Sequence, residues 1–340
     1  MDSGSLNAST SLRNASVALT LLTEDGPPQR RIERSGRFLG VRCTLALEYR
    51  PRRQASHGPS AVLRSLRAGL TQLGIRFNEN PRPEESARIV YVPGGPDSLG
   101  RAIRWRREGL VDRIVAGPNI IDDPHRADRI LQASEVDVAI VASDWVRQFF
   151  AAVAPRLAPK LRVCPAGVDI DAWRPSGGRR RVGLVYLKNS DTHDPSAIMD
   201  TLAEVGLAPA MVRYGRYSAD EYRAVLDQAR LAVFLSASET QGIALAEAWA
   251  MDVPTLVWNP RRPVPDWAVT VQRSSCPLLT PATGAEWVTL DELRALLARH
   301  DHASETFGPR QWTVENLSDV VCARRLLSIA FERPATAGSL

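Results

Sequence analysis

The sequence predicts an α/β protein in which two doubly wound domains, each built on a parallel sheet, follow one another along the chain. Short apolar runs typical of buried strands alternate with amphipathic helical patterns of about ten to fifteen residues. The alternation occurs in two series, separated by a segment rich in Pro, Gly and Arg at 171–181. A chain of 340 residues has room for two domains of ordinary size.

The composition is that of a globular protein with a strong bias toward arginine. Hydrophobic residues make up 44% of the chain and charged residues 24%. The 43 basic residues include only two lysines, Lys160 and Lys188, and are offset by 38 acidic residues. Because the arginines are spread along the chain, the net charge of +5 does not indicate a nucleic-acid partner.

The cysteines and the hydropathy predict a cytoplasmic protein. Cys43, Cys164, Cys276 and Cys322 show neither a C-x-x-C motif nor metal-site spacing, so we expect reduced, buried thiols. The sequence contains no apolar run of the length that a transmembrane helix requires.

The first series of elements is assigned to a domain at 37–170. Residues 1–36 are rich in Ser, Asn, Thr and Arg, which predicts a disordered N-terminal segment. A helix is expected at 60–73, where leucines recur on one face. The predicted strands are 41–47, 74–78, 88–92, 113–117, 136–142 and 161–164.

The second series is assigned to a domain at 182–312. Capping boxes at Ser218–Glu221 and Thr289–Glu292 predict helices at 219–230 and 290–299. A long amphipathic helix at about 313–331, within a C-terminal segment at 313–340, could cross back to the first domain. The predicted strands are 182–187, 209–214, 231–236 and 254–258, with a further candidate at 268–272.

The stretch 231–258 carries the clearest chemical signal. Glu239 stands in a Ser-rich loop after a predicted buried strand, and Gly242 stands where the chain turns into a helix. The free amides and the dipole of a helix N-terminus favour an anion. Because helical side chains lean toward the N-terminus, Glu247 in the second turn reaches the same place. The pattern predicts a diphosphate flanked by two carboxylates that bind sugar hydroxyls; the alternative is two solvated surface glutamates.

The pattern Ser-x-x-Glu-x-x-Gly-x-x-x-x-Glu-Ala at 236–248 resembles the E-x7-E motif of retaining, nucleotide-sugar-dependent glycosyltransferases with the GT-B fold. The segment VCPAGVDIDAWRP at 163–175 resembles a second motif of that family. The resemblance covers 37–331 and implies two Rossmann-like domains that face each other across a cleft. It implies sugar transfer from a nucleoside-diphosphate sugar, with retention, without a metal ion or other cofactor, to an unidentified acceptor.

The resemblance also assigns roles to single residues. Glu239 is expected to lie against the transferred sugar and Glu247 against the nucleotide ribose. The family's Gly-Arg-x-x-x-x-Lys pattern is similar to the segment from Gly183 to Lys188, with the lysine one residue early and Leu184 where the arginine stands. Arg216 could supply that missing charge. The expected donor-binding residues are Lys188, Arg216, Glu239, Thr240, Gln241, Gly242, Ile243 and Glu247, and catalysis is assigned to Glu239 and Lys188.

Signals for the acceptor side are weaker. The loop at 52–59 stands where the family carries a glycine-rich loop, and further polar or glycine residues follow two other predicted strands. Each of these residues is equally consistent with a turn or a helix cap. The candidate acceptor or sugar contacts are His57, Gly58, Gly94, Gly95, Asn119, Asp123 and His125.

Two alternatives to a transferase, and one question about the segment 101–107, remain open from the sequence. The chain could be a non-catalytic nucleotide- or sugar-binding protein that kept the fold, or a sugar-nucleotide epimerase. The segment 101–107, which alternates arginines with Ile103 and Trp105, could rest on an anionic membrane at the inner face, or it could be a helix with a solvated arginine face.

Overall fold

Two parallel sheets, one in each half of the chain, form the framework of the protein. A computed structural model describes residues 17–24, 34–38, 41–45, 58–188, 193–264, 270–300 and 307–332. The strands of the first half are β1 (Leu19–Leu21), β2 (Arg34–Phe38), β3 (Val41–Leu45), β4 (Phe77–Glu79), β5 (Ile89–Gly94), β6 (Arg113–Asn119), β7 (Val138–Val141) and β8 (Leu161–Val163). Within the described residues, six of them form a parallel sheet in the order β4-β1-β5-β6-β7-β8.

The second half repeats this architecture with a smaller sheet. Its strands are β9 (Val182–Lys188), β10 (Ala208–Arg213), β11 (Ala229–Ser236), β12 (Thr255–Trp258) and β13 (Gly284–Trp287). They pair in parallel in the order β10-β9-β11-β12-β13, as far as the chain is described. This confirms the predicted α/β class with two doubly wound sheets.

Helices cover both sheets. In chain order they are α1 (Gly58–Gln72), α2 (Pro96–Arg107), α3 (Asp144–Val153), α4 (Pro195–Glu204), α5 (Ala219–Gln228), α6 (Ile243–Ala250), α7 (Leu290–His300), α8 (Pro309–Leu317) and α9 (Asp319–Phe331). Both predicted capping boxes are present: Ser218 and Glu221 cap α5, and Thr289 and Glu292 exchange hydrogen bonds at the start of α7.

The first strand of the first sheet is not where the sequence pattern placed it. Residues 19–21, predicted to be disordered, form β1, which pairs with β4 and β5 and is fully buried. The candidate 41–47 instead contains β3, which pairs only with β2 in an antiparallel hairpin, within the described residues. A buried three-residue strand between polar stretches is too short to show a period, so the sequence pattern favours the longer apolar run at 41–47.

The other strand predictions differ mainly at one edge of the second sheet. The candidate 268–272 lies partly outside the described residues, and the edge strand is the later segment Gly284–Trp287. Gly284 and Trp287 are buried, but the four residues of β13 contain too few apolar side chains to stand out in the sequence.

The predicted C-terminal helix is two helices that break at Ser318, whose backbone is extended. The second of them, α9, crosses back to the first domain, where Ala323 and Leu326 join a hydrophobic cluster with Leu66 and Leu70 of α1. The close crossing requires a glycine on α1, because a Cβ on Gly69 would lie 2.3 Å from the carbonyl oxygen of Asp319.

The helix that contains the segment 101–107 is built into the first domain. Ile103 and Trp105 of α2 are buried in its hydrophobic core, so these side chains do not rest on a membrane. Arg101 donates hydrogen bonds to the carbonyl oxygen of Thr23 at 3.0 Å and to the side chain of Asn80 at 2.8 Å. Among the helices of the described ranges, none combines the length and the apolar character needed to cross a bilayer. Cys164, Cys276 and Cys322 are free and buried, as predicted.

We expect Gly69→Ala to lower the free energy of unfolding by about 1–3 kcal/mol, because the added methyl group overpacks the crossing of α1 and α9. Chemical denaturation monitored by circular dichroism measures this loss. Gly100→Ala in α2 is the matched control, since its Cβ would meet only Ile130 at 3.9 Å. Helix propensity should leave that variant unchanged or more stable by up to about 1 kcal/mol. Equal stability of the two variants would contradict the tight crossing.

Candidate active site

A cleft of about 500 Å³ opens at the carboxyl ends of β9 and β11. Parallel α/β sheets bind their ligands at this edge, because the loops there lie outside the hydrogen-bonded ladder. Arg64, Asn119 and Asp169 of the first domain contribute to the cleft, as does Trp173 of the segment between the domains. The second domain contributes most of the donor-binding residues that the sequence analysis named. Those that line the cleft are Lys188, Glu239, Thr240, Gln241, Gly242, Ile243 and Glu247.

An ion pair between Lys188 and Glu239 stands at the centre of this cleft. Lys188 Nζ lies 2.9 Å from Glu239 Oε1 and 2.8 Å from Oε2, and the Ser236 hydroxyl donates to Oε1 at 2.9 Å. The side chains of the pair are only 21% and 14% exposed. The two residues are 51 positions apart, but Lys188 ends β9 directly opposite Ser236, the last residue of β11. Strand register therefore brings the pair together.

The N-terminus of α6 opens on the same cleft. Gly242 is its N-cap residue, with a left-handed backbone at φ 84° that glycine adopts without strain. No side chain caps this helix end, so the first backbone N–H groups of α6 remain available to a ligand. This helix end is the place where the sequence pattern predicts an anion.

Glu247 lies one turn farther along α6, in the lining of the cleft. Burial raises the pKa of its carboxyl group to about 8, and the positive charge of Arg64 opposes that shift. Glu247 is therefore mostly protonated at neutral pH in the unliganded protein. A protonated carboxyl group can donate one hydrogen bond and accept others, which suits contacts with hydroxyl groups.

Sequence reasoning missed an aromatic wall on the second domain. The hydroxyl groups of Tyr186 and Tyr217 are 3.0 Å apart, and Tyr186 stacks on Phe234 with ring centroids 4.6 Å apart. Lys188 Nζ lies 4.6 Å from the ring centroid of Tyr214, which is 42% exposed. The clustering of tyrosines in the segment 214–222 was the only signal in the sequence, and tyrosines also occur in ordinary cores.

The positive charges differ from those expected. Gly183 and Leu184 lie inside β9, and Leu184 is completely buried in the core, so the position matched to the family's arginine is not at the cleft. Arg216 is exposed and is not among the cleft-lining residues. Two arginines that sequence reasoning did not select, Arg64 of α1 and Arg223 of α5, line the cleft instead. Arg67 also lies on α1, and Arg223 is the one arginine of α5, but no pattern in the sequence distinguished Arg64 or Arg223 from the other arginines of the chain.

The acceptor-side candidates divide into three groups. Gly94, Gly95 and Asn119 line a second pocket of about 390 Å³ in the first domain, and Asn119 also lines the cleft. Asp123 accepts a hydrogen bond from the backbone N–H of His125 at 2.8 Å, and neither residue lines the cleft. His57 lies outside the described residues, and Gly58 is the first residue of α1.

The described part of the chain contains no group of three or more His, Cys, Asp or Glu side chains arranged to hold a metal ion. The polar groups of the cleft are instead one ammonium group, two guanidinium groups, hydroxyl groups and three carboxyl groups. Such a set suits a phosphorylated ligand that also carries sugar hydroxyl groups.

We expect Glu247→Gln to stabilise the protein at pH 8 by several degrees in Tm and to have little effect at pH 5. Glu247 keeps its proton in the folded protein up to a pH of about 8, whereas in the unfolded chain it loses the proton above its ordinary pKa of 4.5. Stability therefore falls as the pH rises from about 4.5 to 8, and glutamine removes that dependence. Thermal unfolding across this range is the measurement, with the exposed Glu204→Gln as control. Parallel profiles of Tm against pH for wild type and Glu247→Gln would contradict the raised pKa of the Glu247 carboxyl group.

Solved structures share this two-domain arrangement. HepE from Anabaena, solved in complex with UDP, aligns with a TM-score of 0.58 at 11% identity over 92% of this chain and 98% of that chain. The lipopolysaccharide outer core galactosyltransferase WaaB aligns with a TM-score of 0.55 at 12% identity over 92% and 99%. Sucrose-phosphate synthase from Thermosynechococcus elongatus aligns with a TM-score of 0.53 at 12% identity over 92% and 98%.

No protein-family model matches the chain, and no curated protein matches its sequence. At identities of 11% and 12% the likeness concerns the fold alone. The alignments cover nearly the whole of both chains, so they include both sheets. The chain therefore has the GT-B fold, in which two parallel α/β domains face each other across a cleft.

Proposed function

We propose that the protein is a glycosyltransferase that moves a sugar from a nucleoside-diphosphate sugar to an acceptor, with retention of configuration and without a metal ion. The observation that carries this proposal is the convergence of Lys188, Glu239 and the N-terminus of α6 at one edge of the second sheet. HepE has been solved with UDP-glucose, and WaaB is a galactosyltransferase. The first supports a nucleotide sugar as the donor, and the second supports sugar transfer as the reaction.

Departure of the nucleoside diphosphate is the demanding step of such a transfer. Negative charge grows on the leaving oxygen, and preformed donors that meet this charge can each lower the barrier by about 2.7–4 kcal/mol. Lys188 and the amide groups of α6 supply such donors in the second domain. Arg64 adds a cation from the opposite wall. Fixed cations of this kind take over the role that a metal ion plays in other transferases.

Glu239 faces the sugar in this proposal. It stabilises positive charge at the anomeric carbon or attacks that carbon, and either role is compatible with retention. In the unliganded protein its charge is neutralised by Lys188. A bound diphosphate competes for the same ammonium group, so donor binding loosens the ion pair and leaves the carboxylate free to act on the sugar.

The acceptor is assigned to the pocket in the first domain that Gly94, Gly95 and Asn119 line. Because Asn119 belongs to both this pocket and the cleft, an acceptor hydroxyl placed there can approach the donor sugar. The two glycines let neighbouring residues approach the backbone closely, because a Cβ on Gly95 would lie 2.2 Å from the side chain of Glu24, which also lines this pocket.

A thermal-shift panel of nucleoside diphosphates and their sugars tests the donor class. A ligand present at about 100 times its Kd adds about 2.7 kcal/mol to the free energy of unfolding, so we expect Tm to rise by several degrees for at least one base. Nucleoside monophosphates serve as control, because they lack the second phosphate. No stabilisation by any nucleoside diphosphate or nucleotide sugar would count against the proposal.

Substitutions of the two glutamates are expected to impair different properties, turnover for Glu239 and nucleotide binding for Glu247. Glu239→Gln should lower turnover of the nucleotide sugar by about 100-fold and leave the Kd of the nucleoside diphosphate within twofold or tighter, because Lys188 is released. Glu247→Ala should instead weaken nucleotide binding, since it removes contacts to the ribose. Isothermal titration calorimetry and product release measure these effects. Unchanged turnover in Glu239→Gln would refute its role, and binding without turnover in wild type would favour the non-catalytic alternative.

A further inference from the structure

The loop that carries Glu239 is held from the opposite domain. We call residues 237–242 the glutamate loop. The Ser143 hydroxyl donates a hydrogen bond to the carbonyl oxygen of Thr240 at 2.5 Å. The indole Nε1–H of Trp145 donates to the carbonyl oxygen of Glu239 itself at 2.8 Å. Both donors belong to the start of α3 in the first domain, so two successive carbonyl groups of the loop are fixed across the cleft.

Ser143 makes this contact in place of the capping hydrogen bond that is usual for a serine at its position. It is the N-cap residue of α3, where a serine side chain normally accepts a hydrogen bond from a backbone N–H and adds about 1 kcal/mol to stability. Here the side chain makes no capping hydrogen bond and donates to Thr240 instead. Ser143 is also completely buried. The stability of α3 alone therefore does not explain why residue 143 carries a hydroxyl group.

Gln241 adds a third link from the same loop. Its Oε1 accepts from the backbone N–H of Ala166 at 2.8 Å, and its Nε2 donates to the Ala166 carbonyl oxygen at 2.7 Å. Ala166 follows β8 at the end of the first domain, and Gln241 is only 4% exposed. Three consecutive residues of the loop are thus fastened outside the second domain.

The loop is also tied to its own domain. The backbone N–H of Glu239 donates to the carbonyl oxygen of Ser274 at 2.8 Å, and its carboxylate is held by Lys188 and Ser236. The backbone of Glu239 therefore has one hydrogen bond to each domain. A change in the distance between the domains displaces the carbonyl group relative to the N–H group and rotates the residue.

We propose that Ser143 and Trp145 are positioning residues, which align the Glu239 carboxylate with the donor sugar when the two domains are docked as they are here. This inference rests on the proposed function. A displacement of about 1 Å in a reacting group can lower a rate by about 100-fold, so two hydrogen bonds to the backbone of the loop have a large effect on turnover. Alignment that requires docking also restricts the reaction to a closed cleft, from which water is excluded.

The test removes the hydrogen bonds without removing the packing. Trp145→Phe deletes the indole N–H and keeps an aromatic ring, and Ser143→Ala deletes one oxygen atom. Trp105→Phe is the matched control, because Trp105 is buried in the same domain and lies on α2, away from the loop. Two measurements are made on each variant: amide hydrogen exchange in 237–242 without ligand, and kcat and KM for the nucleotide sugar that stabilises wild type.

We expect both site variants to accelerate exchange in 237–242 by about fivefold, the equivalent of a lost hydrogen bond of about 1 kcal/mol. We expect kcat to fall by about tenfold, with KM for the nucleotide sugar within twofold of wild type. A merely structural role would lower Tm and accelerate exchange across α3 as well, and it would not separate kcat from KM. The control should match wild type in both measurements.

Two results would overturn the proposal. One is loop exchange in Trp145→Phe and Ser143→Ala that equals that of Trp105→Phe, and the other is faster exchange with unchanged kcat. If wild type binds no nucleotide sugar, the proposed function fails separately. The exchange measurement still decides, on its own, whether α3 holds the glutamate loop.

Discussion

The contact between Lys188 and Glu239 depends on the parallel pairing of β9 and β11, which ends both strands at one level. Two charges with little exposed surface lose most of their hydration, and they tolerate this only because each compensates the other. Removal of one partner would leave an uncompensated charge in the cleft. The pair therefore stabilises the unliganded site. In the proposed reaction it would also provide the positive charge that a diphosphate contacts and the negative charge that faces the sugar.

Glu247 shows a related compromise between stability and function. A carboxyl group whose pKa is raised to about 8 by burial destabilises the folded chain at physiological pH relative to an apolar or amide side chain. Binding sites commonly retain such groups because the ligand needs them. With Glu247 mostly protonated, the cations Lys188, Arg64 and Arg223 outnumber the charged carboxylates Glu239 and Asp169 that line the cleft. The resulting positive excess favours an anionic ligand.

The two domains contact each other through α9 and through α3. The helix α9 crosses from the second domain to pack on α1, and a Cβ on Gly167 would lie 2.7 Å from the Cα of Asp319 at that crossing. On the other side of the cleft, α3 contacts the glutamate loop through Ser143 and Trp145. The helix that carries Arg64 is thus braced by α9, and the loop that carries Glu239 is braced by α3.

The sequence by itself determined the α/β class, most strands of both sheets, the capped helices and the local geometry around Gly242. These features follow from hydrophobic period, capping chemistry and glycine, all of which act over a few residues. For the same reason the spacing of Glu239 and Glu247 was enough to place both at one helix end. The short buried strand β1 and the break at Ser318 were missed, because each depends on what the segment packs against.

Only the tertiary structure decided which charges meet in the cleft. Lys188 and Glu239 are brought together by strand register, Arg64 by the packing of one domain on the other, and Ser143 and Trp145 by the docking of α3. The position matched to the family's arginine, Leu184, lies in the middle of β9, so its side chain is buried in the core and does not reach the cleft. Contacts between residues distant in the chain depend on the register of sheets and the seating of domains, and local sequence spacing encodes neither.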